Sequence, residues 1–243
     1  MSLVLPTFSG FVQPAGGGAF NTYSVDFDGT DDYMDLGTTS ALNPTSSLTV
    51  SAWVKADSHT NTSGVYDSIY SSSKDSGGAN GGFVLVNNLN KWKCYFYSGT
   101  TWYAVESDNN VVDGQWYHLA STWDGTTAKL YVNGSVQTST ASVSSITYYT
   151  AVSAKVGSYY TGSYLNGLID EVSLFDSALS ASDITSMYNS GVPNDISSLS
   201  PIGWWRMGDG TEAGSGTTVY DMSSNSNNGT LTNGPTFSTT VPS

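Results

Sequence analysis

Nine runs of this chain alternate β-branched or aromatic residues with polar ones: YSVDF, LTVSAWVKA, GVYDSIYSS, GFVLVNN, KWKCYFYS, TWYAVES, QWYHLASTWD, AKLYVNG and LIDEVSLFD. A period of two sends successive side chains to opposite faces of a pleated strand, so each run can bury one side. The runs are separated by DG, NG, SG and GG steps, which favour turns. In STWDGTTAKLYVNGS, Asp124-Gly125 joins two runs as a hairpin, and Asn133-Gly134 reads as the next turn. One stretch reads as helix, LSASDITSMYNSG. Ser180 stands as N-cap with Asp183 three residues on, Ile184, Met187 and Tyr188 form an apolar face, and Gly191 supplies a stop. Many strands with one short helix near 180–190 predict an all-β fold, a two-sheet antiparallel β-sandwich.

A sandwich of 243 residues is large but not unusual as a single unit, and such a chain buries enough surface to need no covalent staple. Its one cysteine, Cys94, sits in an alternating run and reads as a packed small hydrophobe. Seven basic residues against twenty acidic ones give a net charge of −13. Such a surface repels nucleic-acid phosphates and anionic membranes, and suits neutral glycans, cations or a basic protein. The opening MSLVLPTFSG shows no signal-peptide pattern, and no apolar run is long enough to cross a bilayer. The polar but weakly charged composition hints at an extracellular or virion-exposed protein. Residues 1–20, broken by Pro6, Pro14 and Gly16-Gly17-Gly18, read as an N-terminal arm. The arm packs along its own domain or docks on a neighbouring subunit.

SVDFDGTDDYMDLG crowds Asp26, Asp28, Asp31, Asp32 and Asp35 together without a lysine or arginine. Either water screens them in a solvated turn or a cation sits among them. Calcium accepts six to eight oxygens in irregular geometry, and a DGxDD turn offers that chemistry locally. A second stretch, YDMSSNSNNGT, has Asp221 among amides and reads as Asx-type turns rather than a metal site.

Four stretches together carry a resemblance: SVDFDGTDDYMDLG, SLTVSAWVKA, DGQWYHLASTWDGTTAKLYVNGS and LNGLIDEVSLFDSALSASDITSMYNSG. In order and spacing they resemble the laminin-G-like, concanavalin-A-like jelly-roll superfamily, from about Tyr23 to Gly191. The resemblance implies a jelly-roll fold and leaves the function open, since lectins, adhesion modules, pentraxins and glucanases share it. It also implies a structural calcium, held by a carbonyl near the DG turn and by the aspartate of a late strand. Carried onto this sequence, that points to Asp28, Gly29 and Asp170, with Asp31 and Asp32 next. The segment IGWWRMGDGTEAGSGTTVYDMSSNSNNGTLTNGP resembles what usually precedes the FDG strand, yet here it follows the helix. It begins a second, truncated repeat, or residues 201–243 supply strands to a single permuted-like domain spanning 21–243; the apolar Trp204, Trp205, Met207 and Val219 favour the second. The architecture also looks like modules of environmental bacteriophage virions.

Catalytic patterns are missing. Retaining glycosidases need two carboxylates about 5–5.5 Å apart on one face. The glutamates stand only at 106, 171 and 212, and no run shows the family's ExDxE-type spacing. His59 and His118 lie in unrelated contexts, and no phosphate-binding loop is present. No enzyme is expected; a divergent glycoside hydrolase is the least favoured reading. Sixteen tyrosines and seven tryptophans exceed one core's need. Aromatic faces stack on sugars, so Tyr148, Tyr149, Tyr159, Tyr160, Tyr164 and Asn166 are the candidate rim for a glycan or surface polysaccharide, while Tyr66, Tyr70, Trp102 and Tyr103 can line a sheet face. The expectation is a carbohydrate-binding or adhesion module. The rival is a structural or decoration protein that buries these tyrosines against homo-oligomer or virion subunits.

Overall fold

The computed structural model describes residues 21–59, 62–73, 81–149, 152–159 and 163–243. The N-terminal arm and Tyr160 lie outside the described residues. In chain order the strands are β1 (Ser24–Asp28), β2 (Tyr33–Asp35), β3 (Leu48–Ser58), β4 (Asp67–Ser71), β5 (Phe83–Asn88), β6 (Lys91–Ser98), β7 (Thr101–Glu106), β8 (Tyr117–Trp123), β9 (Thr127–Val132), β10 (Ser135–Ser142), β11 (Lys155–Val156) and β12 (Asn166–Phe175). Helix α1 (Ala181–Tyr188) follows, then β13 (Gly203–Trp205), β14 (Thr218–Val219), β15 (Gly229–Thr232) and β16 (Thr236–Ser238). They form two antiparallel sheets of eight strands, so the fold is an all-β sandwich. The first sheet runs β10-β9-β8-β3-β12-β1-β16, with β13 paired to β12; the second runs β14-β15-β2-β11-β4-β5-β6-β7.

Alternation decides which faces meet. Leu48, Val50, Ala52 and Val54 of β3 pack inward with Leu119, Ile169, Val25 and Phe27 from the first sheet. Phe83, Leu85, Trp92, Cys94 and Phe96 of the second sheet meet them. Phe27, Phe83, Phe96 and Trp123 are all but fully buried, each contributing on the order of 2–3 kcal/mol of transfer free energy. The layers approach closely at Gly157, whose φ is +83° and where an added Cβ would lie 2.6 Å from the Phe27 ring. A side chain there has neither room nor a comfortable backbone.

The Asn133-Gly134 turn has positive φ at both residues, as a tight hairpin with matching twist requires. Helix α1 forms where its cap permits. Ser180 Oγ accepts from the Asp183 amide at 3.2 Å, and Asp183 Oδ2 accepts from the Ser180 amide at 3.0 Å, a complete capping box. Asn189 in the left-handed region ends it. The helix lays Ile184 and Met187 on the outer face of the first sheet, against Ala120, Tyr131, Phe175 and Trp204. That face is therefore covered.

The C-terminal strands enter both sheets. Strand β13 pairs with β12, β15 with β2, and β16 with β1. Trp205, Met207, Val219 and Leu231 sit in the main core. Asp221 anchors the intervening loop: it accepts from the amides of Trp204, Ser223 and Asn227 and from the Ser223 hydroxyl. That is the expected turn role. No helix among the described residues is long and apolar enough to cross a membrane.

Candidate functional site

The acidic turn after β1 is built on Gly29, at φ +75°, where a Cβ would meet Asn166 Cβ at 2.7 Å. It brings oxygens of Asp28, Asp31 and Asp32 within 4.8 Å of one another, a group whose chemistry can hold a metal ion. Asp28 and Asp31 are exposed and Asp32 is buried. The turn also has its own ties. Asp32 Oδ2 accepts from the Asp28 amide at 3.1 Å, and Asp28 Oδ1 from the Thr30 amide at 2.8 Å. Burial, with Asp28, Asp31 and Asp26 nearby, raises the Asp32 carboxyl above its usual range.

Asp170 does not join this group. Asp28 pairs with Asn166 across β1 and β12, which leaves Asp170 four residues up the strand, about 13 Å away at a strand's rise. The five residues carried over by resemblance therefore fall in two places. Asp170 is fully buried. Its Oδ2 accepts from Asn21 Nδ2 and its Oδ1 from the Glu171 amide, both at 2.7 Å. Burial, and then the neighbouring charges of Glu171 and Asp209, push its carboxyl well above the usual range. Asn21 is buried too, and its Oδ1 has no partner among the described residues. Asp209 Oδ2 lies beside them, accepting from the amides of Thr22 and Tyr23 at 2.8 and 3.0 Å. Glu171 breaks the strand's alternation at φ +46°. It turns to Arg206 Nε at 2.9 Å and accepts from Trp204 Nε1 at 2.6 Å. A buried, largely uncompensated carboxylate next to an orphaned amide oxygen fits a hard cation.

The second sheet's outer face is different in kind. Tyr95 pairs with Val84 across β5 and β6, yet its hydroxyl donates to Asn88 Oδ1 at 3.0 Å, four residues along β5. The side chain therefore runs along the sheet towards Asn88, packed on the Val84 and Val86 cluster. Tyr66 stands at 88° to it with centroids 6.0 Å apart, and Trp102 at 89° and 6.4 Å. Tyr66 precedes β4 and Trp102 is on β7, so two rings perpendicular to that of Tyr95 flank it from opposite sides. Tyr159 continues the row at 5.8 Å from Tyr66, and Tyr97 at 5.1 Å from Trp102. Val84, Val86 and Tyr159 form the buried base. The arrangement is an aromatic trough with a polar end, where Lys93 Nζ meets Glu106 Oε2 at 2.9 Å.

The predicted tyrosine rim is divided by the fold. Tyr159 joins the trough as a buried support. Tyr148 packs against the core, edge-on to Phe83, with its hydroxyl donating to the Pro44 carbonyl at 2.8 Å. Tyr149 is exposed, and Tyr164 is half-buried in a bridge to Ser158. Asn166 donates to Ser58 Oγ beside the acidic turn. Sequence reasoning missed Tyr95, Tyr97, Lys93 and Glu106. The signal was present: in KWKCYFYS, alternation puts Lys91, Lys93, Tyr95 and Tyr97 on one face, but nothing local says that face is the free one.

Ser51 Oγ and His118 Nε2 lie 2.9 Å apart on the covered face of the first sheet. The pair is closed to solvent, each residue 1% exposed. His118 Nδ1 has no partner among the described residues, and burial lowers the imidazole pKa to about 3. A nucleophile needs access and an oriented base, and this pair has neither.

A laminin G-type family description, the concanavalin A-like lectin/glucanases superfamily, matches residues 28–185. The chain belongs to that superfamily. Pappalysin-1 of Mus musculus is 32% identical over 113 residues, 42% of this chain, and the human protein 32% over 100 residues, 37% of this chain. The chain spans only 7% and 6% of those proteins. Among solved structures, a Bacteroides ovatus protein assigned to carbohydrate binding superposes at a TM-score of 0.68 with 19% identity, covering 91% of this chain and 61% of that one. Domain 4 of an extracellular arabinanase from Geobacillus stearothermophilus, solved with arabinotriose, superposes at 0.54 with 22% identity, covering 68% of this chain and 76% of that one. At these identities the superpositions show a shared fold.

Proposed function

We propose that this domain is a non-catalytic carbohydrate-recognition module that binds a glycan in the trough on the second sheet. The observation that carries the reading is the Tyr95 ring flanked by Tyr66 and Trp102 on a face that no helix among the described residues covers. Sugar rings present apolar C–H faces and polar edges, and aromatic floors with polar ends match both. The superfamily contains lectins, and a fold relative assigned to carbohydrate binding supports the class. The setting we infer is extracellular or on a particle surface, with residues 21–243 acting as one unit whose last strands replace those the family draws from its N-terminus.

Calorimetric titration with soluble arabinan, mannan and β-glucan tests this. We expect at least one to bind, and Trp102→Ala and Tyr95→Ala each to weaken binding about tenfold, the equivalent of ~1.4 kcal/mol, with the fold intact by circular dichroism. Binding that survives both substitutions refutes the trough. No binding by any polymer, together with a defined oligomer in solution, moves the reading to the assembly protein.

We also infer a structural calcium. Asn21 and Asp170, with Asp209 beside them, are the residues that would hold it; its role there is to neutralise a buried carboxylate and tie the entry to β1 onto β12.

A further inference from the structure

The trough's polar end carries the Lys93–Glu106 ion pair, while Lys91 further along β6 is tied to the Asp108 carbonyl, and the placement of the pair carries an inference about which sugars fit. The inference rests on the trough reading above. Lys93 and Glu106 face each other across β6 and β7, one step beyond the Tyr95–Ala104 pair, with Trp102 on the other side of Ala104. Along β7 the outer face thus reads wall, gap, acid. Ala104 is exposed and small, and it leaves the flank of the Tyr95 ring open down to the ion pair. The Lys93 side chain is 13% exposed and that of Glu106 48%. The ammonium is therefore held in place while the carboxylate keeps a free edge towards solvent. Burial and then the Glu106 charge raise the Tyr95 phenol above its usual range.

We propose that the Lys93–Glu106 pair reads two neighbouring hydroxyls of an uncharged sugar lying on Tyr95, so that the trough selects neutral polysaccharides over uronate polymers. A joined ammonium and carboxylate present a donor and an acceptor side by side, and a vicinal diol offers the complementary acceptor and donor. Both hydrogen bonds are charge-assisted, and neither requires the pair to separate. A sugar carboxylate gains the lysine but faces the glutamate at the same point, and it approaches a chain of net charge −13. A sugar ammonium faces the reverse conflict with Lys93. The neutral diol alone satisfies both partners.

The test uses the whole chain at 0.15 M salt, with arabinan, mannan and β-glucan as neutral probes and polygalacturonate and alginate as uronate probes. We expect the preferred neutral polymer to bind at least tenfold more tightly than either uronate. Glu106→Gln and Lys93→Gln should each weaken neutral binding five- to tenfold. Glu106→Gln, by removing the repulsion, should also narrow the gap to the uronates. A uronate that binds more tightly than every neutral polymer overturns the inference. So do Glu106→Gln and Lys93→Gln proteins that bind like the parent while Trp102→Ala does not, an outcome that leaves the trough standing. If Trp102→Ala also binds like the parent, or nothing binds, the trough and the inference fall together.

Discussion

Acidification should expose the cost of keeping His118 neutral. Its ring is 1% exposed, lies 5.2 Å from the Trp53 ring, and takes Ser51 Oγ at 2.9 Å. The folded imidazole has a pKa of about 3 against 6.5 when free, the cause being burial. Above pH 6.5 neither the folded nor the unfolded chain holds the proton, and the group contributes nothing. Below 6.5 the unfolded chain takes up a proton that the folded chain refuses, so stability falls at about 1.4 kcal/mol per pH unit until the folded pKa is reached. Between pH 7.5 and 5 the loss is about 2 kcal/mol. Asp170 and Glu171 act in the opposite sense, because their raised folded pKa values relieve a penalty as they protonate. The parent's pH profile is therefore a sum, and a difference is needed to isolate the histidine. His118→Gln can keep the bond from Ser51 and does not titrate. Urea unfolding of both proteins from pH 7.5 to 5 should show the variant less stable at the top. The gap should close by about 2 kcal/mol at the bottom. A gap that stays constant across the range would refute a neutral, buried His118.

Other expectations follow from packing and charge. Gly157→Ala forces a Cβ against Phe27 at positive φ and should cost about 3 kcal/mol, read as a melting point lower by roughly 10 °C. Ending the chain after Ser200 removes Trp205, Met207, Val219 and Leu231 from the core and β16 from beside β1. The product should lack cooperative unfolding in calorimetry; a sharp transition would show that the last strands are dispensable. Calcium at 100 times its dissociation constant should add about 2.7 kcal/mol, reversed by EDTA. Asp170→Asn should abolish that gain and Asp31→Asn should leave it, whereas the opposite pattern would put the ion in the acidic turn.

What the sequence made legible was local. The hairpin at Asn133-Gly134 and the cap at Ser180 are encoded by neighbours a few residues apart, and each formed where its chemistry demanded. The nine alternating runs became strands because periodicity acts within the run. The parts that escaped depend on distance along the chain. Asp170 is joined to Asn21 across 149 positions, and nothing near either residue announces the other. The short strands at 33–35, 155–156 and 203–205 exist only because longer neighbours pair with them. The trough required knowing that β4, β5, β6 and β7 lie side by side and that α1 covers the other sheet. Alternation gave Tyr95 a face but could not say that its side chain runs along the sheet to reach Asn88.

The pairing of β1 with β16 has a mechanical side. Ser24 faces Ser238 in an antiparallel ladder of three residue pairs, and Ser24 Oγ donates to the Thr240 carbonyl. The entry to β1 and the exit of β16 thus lie at the same end of one ladder. A tether pulling on both segments would load these bonds one after another, peeling β16 like a zipper instead of shearing the ladder as a block. Tension along that line would first meet the ties of Asn21 to Asp170 and of Thr22 and Tyr23 to Asp209, and then the three residue pairs, while the trough lies on the other sheet.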